Sequence, residues 1–111
     1  REMQSADGQW TRSKSFDTFG PMGPCLLMVN EMPSDTVVRT SVNNRAVQES
    51  PISKMIFPIP RLISHISRFA TLEQGDVIST GTPEGVGQLK VGDLVEVEIN
   101  GIGKLRNICA E

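Results

Sequence analysis

The sequence predicts a mixed α/β domain that is mainly β, with one short helix at about residues 61–70. Its 111 residues are enough for one hydrophobic core and too few for two. Apolar residues make up 38% of the chain, or about 47% with Gly included, which is the usual globular proportion and excludes disordered or collagenous classes. Short β-rich segments with turn signals flank a stretch of helical periodicity. We therefore expect the chain to bury an apolar core.

The first 24 residues form a polar segment rich in glycine and proline, which favours loops and rules out a long helix. The apolar run Cys25–Val29 that follows predicts a short buried strand. Residues 37–42 are β-rich, and Asn43-Asn44 tolerates the positive φ angles of a tight turn before residues 46–49 return. These segments predict a β-hairpin.

The predicted helix begins after Pro58 and Pro60, which can lead into a helix but not lie inside one. Five apolar residues then recur at helical spacing: Leu62, Ile63, Ile66, Phe69 and Ala70. This pattern places a helix at about Arg61–Ala70.

A short motif occurs twice, as residues 72–78 and 89–95, and in each copy a Gly-Asp pair precedes β-rich residues. Each pair predicts a turn that begins a strand. After the second copy, Val95, Val97 and Ile99 alternate with glutamates, and Asn100-Gly101 is a strong hairpin signal. Residues 92–108 are therefore predicted to form a half-exposed hairpin.

The charge balance and the cysteines limit the classes of partner and compartment. Eleven basic against 13 acidic residues give a net charge of −2, and without a basic stripe nucleic acid is not an expected partner. The apolar runs are far shorter than the roughly 20 residues of a membrane span. Cys25 and Cys109 have neither metal-ligand spacing nor disulfide density. We expect a reducing, cytoplasmic location and no membrane partner.

Three polar clusters are candidates for binding an anionic, oxygen-rich ligand. Arg1 and Gln4 are three residues apart, Lys14 stands beside hydroxyl and carboxylate residues, and residues 79–87 form a hydroxyl-rich glycine loop. Isolated residues of these types are more often solvated surface groups. The loop is neither a P-loop nor a dinucleotide fingerprint, so a structural turn is its default interpretation.

Two other features have structural interpretations. His65, the single histidine, falls at the flank of the apolar helix face, and no nucleophile-elbow motif accompanies it. Glu96 and Glu98 alternate with apolar residues, which favours a solvated strand face over a cation site.

The order of several motifs resembles the fumarylacetoacetate hydrolase family nearly from end to end. The resemblance is carried by the segments Arg1-Glu-Met-Gln4, Gly8-Gln-Trp10, Lys14-Ser-Phe-Asp-Thr-Phe-Gly-Pro-Met-Gly-Pro24, Val42-Asn-Asn, Met55-Ile-Phe, Gly75-Asp-Val-Ile-Ser-Thr-Gly-Thr-Pro-Glu-Gly-Val-Gly87 and Gly101-Ile-Gly. It implies that residues 1–111 are the later part of a single catalytic domain with a mixed β-roll fold. The polar opening at Arg1, with no leader before it, also leads us to expect a chain that starts inside a larger domain.

The resemblance further implies a metal-dependent hydrolase or lyase that cleaves a C–C bond beside a 1,3-dicarbonyl or 2-oxo acid. The metal is Mg²⁺ or Mn²⁺, held by a Glu-x-Glu pair and an Asp that precede this segment, so no metal ligand is assigned here. Arg1, Gln4, Lys14 and Thr82 match the family's substrate-binding positions. Lys14 is the expected catalytic donor to the developing oxyanion.

The same resemblance leaves alternatives open. Within the family, the reaction could be that of an oxaloacetate decarboxylase or a ureidoglycolate lyase. A different class is a non-catalytic scaffold or dimerisation segment. We expect the parent protein to be a homodimer, because half a β-roll leaves strand edges and apolar faces uncovered.

Overall fold

A computed structural model describes residues 2–110, which form one antiparallel sheet with short helices around it. The strands are β1 (Val37–Val42), β2 (Arg45–Pro51), β3 (Leu94–Ile99) and β4 (Gly103–Ile108), in the spatial order β2-β1-β3-β4. The helices are α1 (Glu2–Ala6), α2 (Thr11–Lys14) and α3 (Ile59–Ile66), and a 3₁₀ turn covers Ile52–Lys54. No helix of this part of the chain is long and apolar enough to cross a membrane.

The first hairpin forms as the sequence predicts, because Asn43 (φ 50°) and Asn44 (φ 64°) both take the left-handed conformation. Its ladder is interrupted by a β-bulge. Thr40 pairs with Gln48 but Ser41 pairs with Ala46, so Val47 is the extra residue of β2. Bulges of this kind change the direction of the strand and free a backbone group from the ladder.

The second hairpin is also confirmed, with a connection of three residues, 100–102. Its turn is attached to the start of β1 by Asn100. The Asn100 backbone N–H donates to the Val37 carbonyl at 3.2 Å, and its side-chain Oδ1 accepts a hydrogen bond from the Val37 N–H. The two hairpins are thereby joined at one end of the sheet through β1 and β3.

The sheet has one apolar and one charged face, because directly paired residues share a face. The apolar face follows from the pairs Val38–Ile99, Thr40–Val97, Val42–Val95, Thr40–Gln48 and Val97–Leu105. The charged face carries Arg39, Glu49, Glu96, Glu98, Lys104 and Arg106.

Oppositely charged residues pair across the strands of the charged face. Arg39 binds Glu49 at 2.9 and 3.0 Å, and this pairing raises the Arg39 pKa and lowers the Glu49 pKa, mainly through the hydrogen bonds. Arg106 binds Glu96 at 2.6 Å, and Lys104 lies 3.3 Å from Glu98. The expectation of a solvated glutamate face is wrong for Glu96, which is 6% exposed.

The repeated motif forms the same turn in both copies. Asp76 Oδ2 accepts a hydrogen bond from the Glu73 N–H at 2.9 Å, and Asp93 Oδ2 accepts one from the Lys90 N–H at 2.8 Å. The preceding glycines have φ angles of 99° and 90°. Only the second turn begins a strand, β3. The strand expected at residues 77–78 does not form, since no neighbouring strand pairs with it.

Two further expectations are corrected. Residues 25–29 form no strand, and Leu26 and Met28 are 88% and 91% exposed. An apolar run becomes a strand only when another strand satisfies its backbone. The start of this segment touches the second hairpin, where Cys25 Sγ lies 3.5 Å from the Ile102 carbonyl oxygen, but no backbone hydrogen bond joins residues 25–29 to a described strand. Helix α3 begins two residues earlier and ends four residues earlier than predicted, because Pro60 lies in its first turn, where the missing N–H costs nothing.

The prediction of a buried apolar core is also wrong for the described residues. Only Thr36 and Glu96 are buried, and no apolar residue joins them. The accessible surface is 9442 Å², whereas a compact monomer of this mass exposes about 6,000 Å². The radius of gyration is 15.4 Å, against about 13 Å for a compact domain. One sheet with a single sizeable helix is less than the two packed layers that enclose a core.

The Asp93 turn should contribute stability that depends on pH. The Asp93 pKa is lowered by the hydrogen bond from the Lys90 N–H and then by the Asn43 amide, which donates at 2.8 Å. A lowered pKa stabilises the fold above the unfolded value of about 4, and this contribution is lost as the pH falls through the folded pKa. We expect D93N to flatten the acid limb of Tm against pH, and the exposed-loop variant D35N to leave it unchanged. Equal acid limbs for D93N and wild type would contradict this.

Candidate functional site

Gln4 and Lys14, two of the residues matched to substrate binding, lie on the paired helices α1 and α2. Gln4 is half-buried in α1, and Lys14 is the exposed last residue of α2. Asp7 and Arg12 connect these helices through a bidentate ion pair with both distances at 2.8 Å. The third residue of this cluster, Arg1, lies outside the described residues.

The segment that follows Lys14 borders a groove of about 670 Å³. Phe16 and Phe19 pack with their ring centroids 5.4 Å apart. The groove is lined by Met3, Ser15, Phe16, Asp17, Thr18, Phe19 and Ala110. Two residues of the Lys14-Ser-Phe motif, Ser15 and Phe16, therefore line a partly aromatic groove, and Lys14 directly precedes them in the chain.

Thr82 lies apart from this groove, in a loop docked on the apolar face of the sheet. The side-chain amide of Gln48 in β2 holds this loop. Gln48 Nε2 donates to Thr82 Oγ1 and to the Pro83 carbonyl, both at 2.8 Å. Gln48 reaches the loop because its pairing with Thr40 places it on the apolar face.

Gly85 forms a second contact between this loop and β2. A Cβ atom added to Gly85 would lie 2.0 Å from the Val47 carbonyl oxygen, and the residue has a φ angle of +102°. Only glycine allows this approach. Val47 is the bulged residue of β2, so the bulge of the strand and Gly85 of the loop contact each other directly.

Thr82 lines a cavity of about 810 Å³ between the loop, the apolar face and the segment from the 3₁₀ turn to α3. Its lining residues are Val38, Thr40, Gln48, Ser50, Pro51, Ile52, Lys54, Met55, Ile56, Phe57, Leu62, Thr80, Gly81, Thr82, Pro83 and Val97. Most are apolar, several carry hydroxyl groups, and Lys54 is the single charged residue of this lining. Such a mixture suits a small acid that presents carbonyl or carboxylate oxygens.

The structure brings Gln4 and Lys14 together on adjacent helices and places Thr82 in a separate cavity. Neither Gln4 nor Lys14 belongs to the residues that line the Thr82 cavity. The substrate-binding roles of Gln4, Lys14 and Thr82 stay predictions.

The described residues do not fit a divalent metal ion. No three histidine, cysteine or acidic side chains among residues 2–110 are grouped closely enough to hold one. The nearest pattern in the sequence is Glu96-Val-Glu98, and Glu96 is engaged by Arg106 at 2.6 Å. We therefore derive no step of the chemistry through a metal from these residues.

Sequence reasoning missed Gln48 and Lys54 as members of the Thr82 cavity. Gln48 follows a bulge that no local pattern marks, and its partner loop lies 34 residues further along the chain. Lys54 is the last residue of the 3₁₀ turn that follows Pro51 and resembles any surface lysine in the sequence. The membership of both residues in the cavity depends on contacts between distant parts of the chain, which the local sequence does not show.

Comparison with known proteins identifies the chain's relatives. A family model described as "Fumarylacetoacetate (FAA) hydrolase C-terminal" matches residues 1–109. The chain belongs to the fumarylacetoacetate hydrolase family. An oxaloacetate tautomerase of Bacillus subtilis is 41% identical over 116 residues, which cover 96% of this chain and 38% of that protein.

Solved structures of family members share the fold. A 5-carboxymethyl-2-hydroxymuconate delta-isomerase from Mycobacterium smegmatis superposes with a TM-score of 0.90 at 44% identity, over 99% of this chain and 44% of that one. A fumarylacetoacetate hydrolase from Exiguobacterium antarcticum gives a TM-score of 0.93 at 37% identity, over 99% of this chain and 43% of that one. The expected family fold, mixed and mainly β, is confirmed. The chain spans less than half the length of each of these three relatives.

The contact between Gly85 and the bulge predicts which glycine of the loop tolerates a side chain. We expect G85A to lower Tm by at least about 5 °C, because the added Cβ would overlap a backbone oxygen at a positive φ angle. Gly87 is the matched control, since a Cβ there meets nothing within 4 Å. Thermal unfolding of the full-length protein carrying either change tests this, and equal Tm values for G85A and G87A would show that the loop is not docked as described.

Proposed function

We propose that this chain is the later part of a catalytic domain that acts on a 2-oxo or 1,3-dicarbonyl acid, cleaving the C–C bond beside the carbonyl by hydrolysis. The observation that carries the proposal is the match of residues 1–109 to the hydrolase family model, with Gln4, Lys14 and Thr82 at the motif positions. The cavity beside Thr82 supports it, because hydroxyl groups and Lys54 line an otherwise apolar space.

The proposed chemistry requires stabilisation of an oxygen that becomes negative. In hydrolysis, water adds its hydroxyl to the acyl carbon, and the electron pair of the breaking C–C bond moves onto the departing acid as an enolate. A proton then returns to the enolate carbon. An ammonium and a hydroxyl are donors of the type that lowers the energy of such an oxyanion. Because Lys14 does not line the Thr82 cavity, the two residues would serve different oxygens of the acid.

A second candidate reaction is keto–enol tautomerisation of the same class of acid. It is favoured by the relative named as an oxaloacetate tautomerase, at 41% identity over 96% of this chain. Tautomerisation also passes through an enolate, but this is the enolate of the intact acid, and no C–C bond breaks. The donors required of Lys14 and Thr82 are therefore the same for both reactions, and product analysis separates them.

Turnover by the full-length protein tests the proposal. Supplied with Mg²⁺ or Mn²⁺, it should cleave an acylpyruvate or a fumarylpyruvate-like acid to two acids. Oxaloacetate and ureidoglycolate in the same panel test decarboxylation, lyase action and tautomerisation. Loss of the oxaloacetate enol absorbance without formation of a cleaved product would assign tautomerisation instead of hydrolysis. No change in any of these substrates would overturn the enzyme proposal in favour of a scaffold or dimerisation segment.

Lys14 should be essential for turnover and dispensable for folding. We expect K14M to lower kcat about a hundredfold or more, the scale of losing one oxyanion donor. K14R should not restore full activity, because the guanidinium places its donors differently from an ammonium. K90M, at an exposed lysine before β3, should stay within about twofold of wild type. Parallel kcat and Tm measurements test this, and unchanged turnover in K14M would remove Lys14 from the site.

A further inference from the structure

The orientation of the Gln48 amide follows from its two partners. The Pro83 carbonyl oxygen can only accept a hydrogen bond, so the amide nitrogen of Gln48, and not its oxygen, must face it. The same nitrogen lies 2.8 Å from Thr82 Oγ1. Both N–H groups of the Gln48 amide are therefore used to hold the loop, one on a backbone oxygen and one on a hydroxyl oxygen.

This arrangement also determines what the Thr82 hydroxyl can offer a ligand. A threonine hydroxyl has one proton and two lone pairs. One lone pair accepts the Gln48 N–H, and the hydroxyl proton cannot return to a nitrogen that is itself a donor. Accepting a hydrogen bond also polarises a hydroxyl and strengthens the bond that it donates. The proton of Thr82 is thus available to an acceptor in the cavity that Thr82 lines.

We propose that Gln48 is a positioning residue that fixes the Thr82 hydroxyl as a hydrogen-bond donor to an anionic oxygen of the bound acid, a carboxylate or an enolate. This inference rests on the function proposed above. Gln48 acts through Thr82, because both of its N–H groups are occupied and its remaining amide oxygen can only accept a hydrogen bond, so Gln48 has no proton to offer an anionic oxygen. The bulge at Val47 contributes to this positioning, since it directly precedes Gln48 in the strand on which the loop docks.

A double-mutant cycle in the full-length protein tests the proposal. Q48M removes both donated hydrogen bonds without adding charge, and T82V removes the hydroxyl through which Gln48 is proposed to act. We expect Q48M to raise KM for the turned-over acid by at least about tenfold, the value of a hydrogen bond to a charged group. In the T82V background, the same change should alter KM by less than about twofold. Q88M, at an exposed glutamine in the same segment, is the matched control and should behave as wild type.

Thermal stability distinguishes positioning from loop anchoring. Q48M loses the bond to the Pro83 carbonyl in both backgrounds and the bond to Thr82 only where the threonine is present. It should therefore lower Tm in both backgrounds, and the decrease in the T82V background reports the anchoring of the loop through Pro83 alone. The effect of Q48M on KM should depend on Thr82. An equal loss of affinity in both backgrounds, or no loss in either, would overturn the proposal.

Two further measurements keep the outcome decisive. If Q48M does not fold, Q48E takes its place. The direct repulsion between its charge and the ligand is the same in both backgrounds, so an excess loss of at least about tenfold with Thr82 present is the expected result. Isothermal titration with oxalate, a planar dianion with two adjacent oxygen-bearing carbons, repeats the cycle without turnover. Suppose that Q48M weakens oxalate binding only when Thr82 is present and that the wild-type protein turns over none of the acids in the panel. This result would overturn the proposed function and support the role of Gln48. A wild-type protein that neither binds oxalate nor turns over any acid would overturn both.

Discussion

The docking of residues 80–87 on strand β2 is the contact on which the candidate site depends. The loop has no ladder of its own, and two features of β2 hold it: the Gln48 amide and the carbonyl of the bulged residue Val47. In a regular strand the side chains alternate and the backbone groups pair with the neighbouring strand. A bulge frees a backbone group for another partner. The position of Thr82 therefore depends on the bulge in β2.

The two faces of the sheet meet different physical requirements. On the charged face, cross-strand ion pairs satisfy Glu96, whose burial without Arg106 would leave a carboxylate with little solvent and only the more distant Lys104, at 3.8 Å, as a counter-ion. On the apolar face, the loop and the segment before α3 cover part of the sheet and leave the cavity.

The surface of 9442 Å² greatly exceeds that of a compact monomer. Large apolar side chains such as Leu26, Met28 and Ile56 are about nine-tenths exposed. The expected homodimer would cover such side chains and stays a prediction.

Elements determined by local chemistry could be predicted from the sequence, and those determined by distant partners could not. The Asn43-Asn44 turn and the two Gly-Asp turns depend on residues that tolerate positive φ angles or accept a nearby N–H, and all of them form. Residues 25–29 are as apolar as a strand but form no backbone hydrogen bonds with any described strand. Likewise, Gln48 is an ordinary strand residue until a loop 34 residues away supplies its partners.

Lys14 and Thr82 would contribute to binding in physically different ways. Lys14 is an exposed lysine at the end of a four-residue helix, so fixing its long side chain against a ligand costs up to about 2 kcal/mol of rotamer entropy. The Thr82 hydroxyl is already oriented by Gln48 before a ligand arrives, and its short side chain has little entropy left to lose. A preorganised donor spends less of its interaction energy on ordering. In the proposed function the lysine would therefore supply charge and the threonine would supply direction, and the selectivity between acids of similar charge should depend on the loop that Gln48 holds.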